Sequence, residues 1–147
     1  MENWLARTAL LIGEENTARL AGARGAVLGL GGVGSAAAEA LCRAGVGHLL
    51  LVDHDTVDET NLNRQLVATR DAVGMRKADA ELRRLGSIHP AGDFTAAYEF
   101  YLPDNSGFLF DWRPDFVLDC IDTVTAKLHL AEACARRGVP LYMCLGT

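Results

Sequence analysis

The sequence predicts an α/β domain of the Rossmann-like, doubly wound kind, a mainly parallel sheet with helices on both faces. Three observations carry that expectation. Apolar runs of strand length alternate with Ala- and Leu-rich stretches of helical spacing. The second run, "HLLLVD", is apolar at successive positions, as a strand covered by helices on each side must be. A glycine-rich turn joins the first run to the helix that follows. At 147 residues the chain is one domain's worth, and a domain of this size buries about 70% of its unfolded surface, enough for a real core.

The elements follow in order. A helical pattern spans about Thr8 to Ala23 and leads into "RGAVLGLGGVG", a strand ending in glycines. "SAAAEALCRAGVG" reads as a helix closed by Gly45, since glycine is the residue that ends a helix in the left-handed conformation without steric cost. After the second strand comes a loop, then a helix from about Gly74 to Gly86. "FTAAYEF" is expected as the third strand, "LPDNSGFLFDW" as a short helix capped by Asp104 or Asn105, and "DFVLDCID" as the fourth strand. A fifth helix runs from Thr123 to Gly138, and "VPLYMCLGT" is the fifth strand. The chain stops at Gly146-Thr147, just past the carboxyl end of that strand, where ligands of open α/β sheets lie, so a domain truncated at its C-terminal end is expected.

Composition narrows the function classes. A net charge of −5 and a pI near 5.3 give no electrostatic footprint for non-specific nucleic-acid binding. No apolar run approaches a membrane span, and the start lacks the basic end and apolar core of a signal peptide, so a cytoplasmic location and no membrane partner are expected. Cys42, Cys120, Cys134 and Cys144 contain no C-x-x-C pair, which argues against a zinc knuckle or a redox motif within this segment. All four sit in or beside apolar runs and read as ordinary buried thiols.

The chemistry begins at Gly29-Leu30-Gly31-Gly32-Val33-Gly34, a G-x-G-x-x-G placed after a strand and before a helix. Glycines allow a tight turn and close approach of backbone to phosphate, while the helix N-terminus offers unpaired N–H groups and a partial positive charge. Asp53 follows Gly34 by 19 residues, at the end of the second strand, where an acid can accept hydrogen bonds from ribose hydroxyls. Asp55 either faces the same site or caps the loop. NAD would be the usual guess, but "DHDTVDETNLNRQ" crowds Asn61, Asn63, Arg64 and Gln65 into one loop leaving the same strand end. Arg64 offers a planar fork suited to phosphate oxygens. Lys77 opens the next helix and adds a point charge. Asp122, at the end of the fourth strand, offers the carboxylate that Mg²⁺ takes together with substrate phosphate. Two cations, a metal-binding carboxylate and a glycine loop describe a triphosphate site.

In "GLGGVGS", "LVDHDTV", "TNLNRQ", "VGMRKADA" and "DCIDTVTAK", in that order, the chain resembles the ThiF/MoeB/HesA family, the adenylating relatives of ubiquitin-activating enzymes, over nearly its whole length. The resemblance implies ATP and Mg²⁺ as cofactors, contact of Gly32 and Asp53 with the nucleotide, phosphate binding by Arg64 and Lys77, and magnesium positioning by Asp122. It also implies a homodimer in which Arg7 enters the partner subunit's site as a finger. "RTALLIGEE", Asn63 and "IDTVTAK" look most like the tRNA threonylcarbamoyladenosine dehydratase branch, which implies tRNA as substrate. The family's C-terminal part, with a crossover loop and, in some branches, zinc and acceptor cysteines, is not in this sequence.

Family chemistry is attack of a carboxylate on the α-phosphorus of ATP with loss of pyrophosphate, a step that needs no protein nucleophile. Cys120 and Cys144 fall near the site by strand position and read as core. The acidic balance requires that basic residues for tRNA come from elsewhere in a longer chain, the dimer or a partner protein. Two other readings are carried. One is adenylation of the C-terminus of a ubiquitin-like sulfur-carrier protein; the other is a non-catalytic nucleotide-binding or dimerisation subunit. An NAD-dependent oxidoreductase stands behind both, because no hydride-positioning residue can be named.

Overall fold

A computed structural model describes residues 3–145. Met1, Glu2, Gly146 and Thr147 fall outside them, so the last two positions of the expected fifth strand are not described. Five strands, β1 (Arg24–Leu28), β2 (His48–Val52), β3 (Asp93–Ala97), β4 (Phe116–Asp119) and β5 (Leu141–Met143), make one sheet in the order β3-β2-β1-β4-β5, every pair parallel. The helices are α1 (Ala6–Ile12), α2 (Glu14–Gly22), α3 (Gly32–Ala44), α4 (Lys77–Ile88), α5 (Gly107–Asp111) and α6 (Val124–Arg137). The doubly wound parallel α/β architecture is the one expected.

Alternation along the central strands builds the two layers. Ala26, Leu28, Leu50, Val52 and Val117 point to one face, where Leu109 of α5 and Ala126, Leu130 and Cys134 of α6 cover them. Val27, Leu49 and Leu51 point to the other, against Ala38 and Cys42 of α3 and Ala78 and Leu85 of α4. The central strands are therefore apolar on both faces, which is what made them legible as runs rather than alternations. A smaller cluster, Val57, Val67, Ala68, Ala72 and Ala80, lies under the long loop between β2 and α4 and keeps that loop folded. Among the described residues no helix is long and apolar enough to cross a membrane.

Several boundaries differ from expectation. The single helix expected from Thr8 to Ala23 is two, because Gly13 adopts φ 88°, ψ 157°, which no helix contains. Its carbonyl accepts both the N–H and the hydroxyl of Thr17, so the break serves as the start of α2. The helix expected from Gly74 begins at Lys77, since residues 74–76 are drawn into pairing with the preceding loop through Gly74 N–H to the Val57 carbonyl and the Thr56–Arg76 bridge. The third strand ends at Ala97, not Phe100. The helix expected over Leu102–Trp112 is a 3₁₀ turn (Pro103–Asn105) followed by the short α5. The Asn105 side chain caps the 3₁₀ turn, accepting from the Leu102 N–H and donating to the Phe100 carbonyl, whereas Ser106, not Asp104 or Asn105, stands at the N-cap of α5. The fourth strand stops at Asp119 rather than Asp122, and α3 begins at Gly32, so the last glycines of the turn belong to its first helical turn.

One buried acid departs from the apolar pattern. Glu81 of α4 is fully buried and neither carboxylate oxygen has a hydrogen-bond partner. Burial pushes its pKa from 4.5 up to about 8; Arg84 one turn along opposes the shift and Glu39 of α3 adds to it. The unfolded chain gives up this proton near 4.5, whereas the folded chain keeps it to about 8, so the contribution of Glu81 to stability is fully present below the ordinary carboxyl range and is lost as pH rises through that window. Glu81→Gln is expected to remove this decline. In urea titrations it should match the parent at pH 4.5 and exceed it by about 4 kcal/mol at pH 8; parallel stability curves would show that Glu81 does not hold its proton.

Candidate active site

A cleft of about 570 Å³ opens beyond the carboxyl ends of β1, β2 and β4. The chain leaves β1 toward β2 on one side and β4 lies on the other, so the loops after β1 and β4 part there and leave the crevice that ligands of open α/β sheets occupy.

The floor is the turn from β1 into α3. Gly29 takes φ +87°, and a Cβ on it would lie 2.6 Å from the carbonyl oxygen of Cys120. A Cβ on Gly34 would collide with the carbonyl of Gly29. These two glycines are thus required by the protein itself, packing the start of α3 against the ends of β1 and β4. Gly31 and Gly32 differ: their nearest neighbours would be the Gln65 amide at 3.7 Å and the Arg64 carbonyl at 3.6 Å, ordinary contacts. Both line the cleft. Nothing in the fold forbids a side chain at Gly32, and a methyl group there would take up ligand space beside the N–H groups that open α3.

Asp53 is 8% exposed. One carboxylate oxygen accepts the Leu30 N–H at 2.7 Å and the other accepts the Asp55 N–H at 2.8 Å. The acid expected to meet a ribose therefore also ties the glycine turn to the end of β2, with a lone pair left on each oxygen for a ligand. Asn61 is buried, its side-chain amide oxygen accepting the Asp58 N–H while Asp58 caps the turn at Glu59–Asn61. Gln65 is buried beside Gly31, and its amide oxygen has no partner. Lys77 is only 6% exposed, its N–H bonded to the Asp55 carbonyl and its ammonium 3.9 Å from the Asp55 carboxylate. Arg64 is exposed at the mouth and bonds its own loop, donating to the Thr60 carbonyl and to the Asn63 amide oxygen. Asp122 lines the same cleft, exposed. Gly29, Gly31, Gly32, Asp53, Asp55, Asn61, Arg64, Gln65, Lys77 and Asp122 all line one cavity; Gly34 supports it from beneath.

Arg7 lies apart from this cleft, exposed on α1. That helix buries none of its residues, and its Leu10 and Leu11 are 87% and 85% exposed. The reading of four buried thiols needs correction. Cys42 and Cys134 are buried, but Cys120 is half-buried and lines the cleft, and Cys144 is exposed because it follows the short edge strand β5. Burial and the neighbouring Cys144 push the Cys120 thiol up to about 12, far from the thiolate a nucleophile needs.

The structure adds residues that sequence reasoning missed. Glu99, Phe100 and Tyr101 form a wall of the cleft because β3 ends at Ala97. His54 packs edge-on to Phe100 with ring centroids 4.6 Å apart. The signal was the dense aromatic run "YEFY" just after the strand, which the strand assignment absorbed. Asp122 suits magnesium as a hard oxygen donor; among the described residues it belongs to no group of three or more such side chains, the group with ligand atoms within 4.8 Å of one another being Asp53-His54-Asp55. A single carboxylate fits an ion that takes its other ligands from phosphate and water.

The ThiF family model matches residues 5–144. The chain is 44% identical over 146 residues to a tRNA threonylcarbamoyladenosine dehydratase of Bacillus subtilis, covering 99% of this chain and 58% of that protein. It is 36% identical over 115 residues to the adenylyltransferase and sulfurtransferase MOCS3 of Drosophila sechellia, covering 78% of this chain and 25% of that one. Among solved structures, an Escherichia coli tRNA N6-threonylcarbamoyladenosine dehydratase in complex with ATP superposes with a TM-score of 0.92 at 41% identity, over 95% of this chain and 57% of that one. The chain thus spans little more than half the length of these dehydratases.

The two kinds of glycine separate by experiment. Gly34→Ala is expected to lose about 1–3 kcal/mol in denaturation, as overpacked sites do, whereas Gly32→Ala, at a helical position with room for a methyl, should melt no lower than the parent. In calorimetric titration with ATP it is Gly32→Ala that should lose binding, and unchanged affinity there would remove Gly32 from the ligand site.

Proposed function

The chain belongs to the ThiF family, and from that premise we propose that it is the nucleotide-binding part of an enzyme that adenylates a carboxylate, the threonylcarbamoyl group on an adenosine of tRNA. The observation that carries the reading is the convergence of Arg64, Lys77 and Asp122 on one cleft floored by open glycines and a helix N-terminus. A dinucleotide needs one phosphate cradle; a pair of cations and a carboxylate beyond it serve a longer anionic tail.

In this reading Asp53 accepts from the ribose and the opening turn of α3 donates to phosphate. A carboxylate oxygen of the substrate attacks the α-phosphorus, the bond from that phosphorus to the bridging oxygen breaks, and pyrophosphate leaves with the negative charge. Lys77 and Arg64 stand where that charge grows, and Lys77, being buried, acts in a medium that screens it little. Asp122 would hold magnesium, which would supply further neutralisation of the leaving group. The ureido nitrogen of the modification then closes on the acyl carbon and AMP departs, for a net loss of water. No thiol is required, which agrees with the elevated Cys120.

The same reading makes the protein a homodimer, with Arg7 of one protomer reaching the cleft of its partner. The support is local: Arg7 is exposed on a helix that buries nothing, next to two exposed leucines. The net charge of −5 leaves tRNA to be held by surfaces beyond this segment.

Calorimetric titration is expected to show ATP binding strengthened by Mg²⁺ and no binding of NAD; preference for NAD would overturn the reading. Where pyrophosphate exchange is measurable, Lys77→Met and Arg64→Ala should each lower it about 10²–10³-fold. Carboxylate-dependent exchange stimulated by a ubiquitin-like carrier and not by threonylcarbamoyladenosine-bearing tRNA would move the substrate to the carrier.

A further inference from the structure

Strand β4 ends in Asp119, whose side chain is fully buried. Its Oδ1 accepts from the Lys127 ammonium of α6 at 3.0 Å and from the Ile121 N–H at 3.1 Å. Lys127, itself 7% exposed, donates a second hydrogen bond, at 2.7 Å, to the carbonyl of Cys144 just past β5. The other Asp119 oxygen is buried without a partner. Taking such a pair out of water offsets most of its attraction, and replacing it with apolar side chains is often neutral or stabilising. Stability alone is therefore a poor explanation for it.

Its placement suggests another. The bond from Ile121 to Asp119 closes an Asx turn, and the residue after that turn is Asp122. Lys127 fixes the carboxylate that closes the turn, and through the Cys144 carbonyl it fixes the end of β5 against the same turn. We propose that Lys127 is a positioning residue: it holds Asp119, Asp119 holds the turn, and the turn aims the Asp122 carboxylate into the cleft. The proposal rests on the reading of Asp122 as the carboxylate that meets magnesium.

The test is calorimetric titration of the full chain with ATP across a range of Mg²⁺ concentrations. Lys127→Met is expected to raise the Mg²⁺ concentration needed to strengthen ATP binding about 10–100-fold, the usual effect of removing a residue that orients a metal ligand, while ATP affinity without Mg²⁺ stays unchanged. Should that variant fail to fold, because it leaves Asp119 buried and unpaired, Asp119→Asn/Lys127→Met removes both charges and keeps an acceptor for the Ile121 N–H. It should fold and still show the raised Mg²⁺ requirement, and Lys127→Arg should restore the parent's. A folded double variant with the parent's Mg²⁺ response, or one that loses ATP binding equally with and without Mg²⁺, would overturn the positioning role. Asp122→Ala separates the two readings: if it leaves the Mg²⁺ response untouched, the assignment of Asp122 falls and this proposal with it. If Asp122→Ala raises the requirement and the double variant does not, only the role of Lys127 falls.

Discussion

Main chain packed against main chain at the ends of β1 and β4 is the constraint on which the rest of this structure depends. Gly34 lies against the carbonyl of Gly29, and Gly29 against the carbonyl of Cys120, with no room for a methyl group at either point. Because three segments meet there without side chains between them, α3 can start directly under the cleft. Its first residues, Gly32 and Val33, line the space where β1 and β4 part. Asp53 then locks the arrangement from the β2 side by accepting the Leu30 N–H. A hydrogen bond accepted by a carboxylate is stronger than a neutral one, so the turn is held by contact on one side and by a carboxylate on the other.

The cleft walls repeat this economy, since several polar side chains there bond the backbone that carries their neighbours. Asp58 and Asn61 exchange bonds across one turn, and the Asp55 carbonyl receives the N–H of Lys77, which sets the first residue of α4. The loop between β2 and α4 is long, yet its own apolar cluster and these bonds leave it with the order of a regular element. Its sequence therefore had to satisfy two demands at once, a small core beneath and a row of polar groups above.

Most of the fold and much of the cleft could be read before the structure was seen, and the reason is locality. The glycine turn, Asp53, the polar loop and Asp122 each sit at the end of an apolar run, so finding the strands also found them. What escaped depended on partners distant in sequence. Where β3 stops is decided by its pairing with β2 and by the Asp53 N–H taking the Ala97 carbonyl, so Glu99 and Phe100 were read as strand and not as wall. Lys77 was correctly placed at a helix start, but the pairing of residues 74–76 with the preceding loop, which makes it the first helical residue, leaves no periodic trace. Gly13 breaks a continuous helical pattern through its own backbone angles, and helical periodicity is blind to that. Cys144 looked like core because its neighbours are apolar; its exposure follows from β5 being an edge strand of three residues.

Arg64 is the exception among the cleft residues, and its freedom has a thermodynamic meaning. The Asp53, Asn61 and Lys77 segments are already held by main-chain bonds, whereas the guanidinium of Arg64 is exposed and bonds only its own loop. On the proposed reading, a polyanion entering the cleft would meet a preorganised surface and would have to reorient this one long side chain, whose ordering costs about 0.5–1.5 kcal/mol. Recognition would then be closer to rigid docking followed by the closing of a single latch than to folding around a guest, and the bond from Arg64 to the Asn63 amide oxygen would have to be given up as the latch swings.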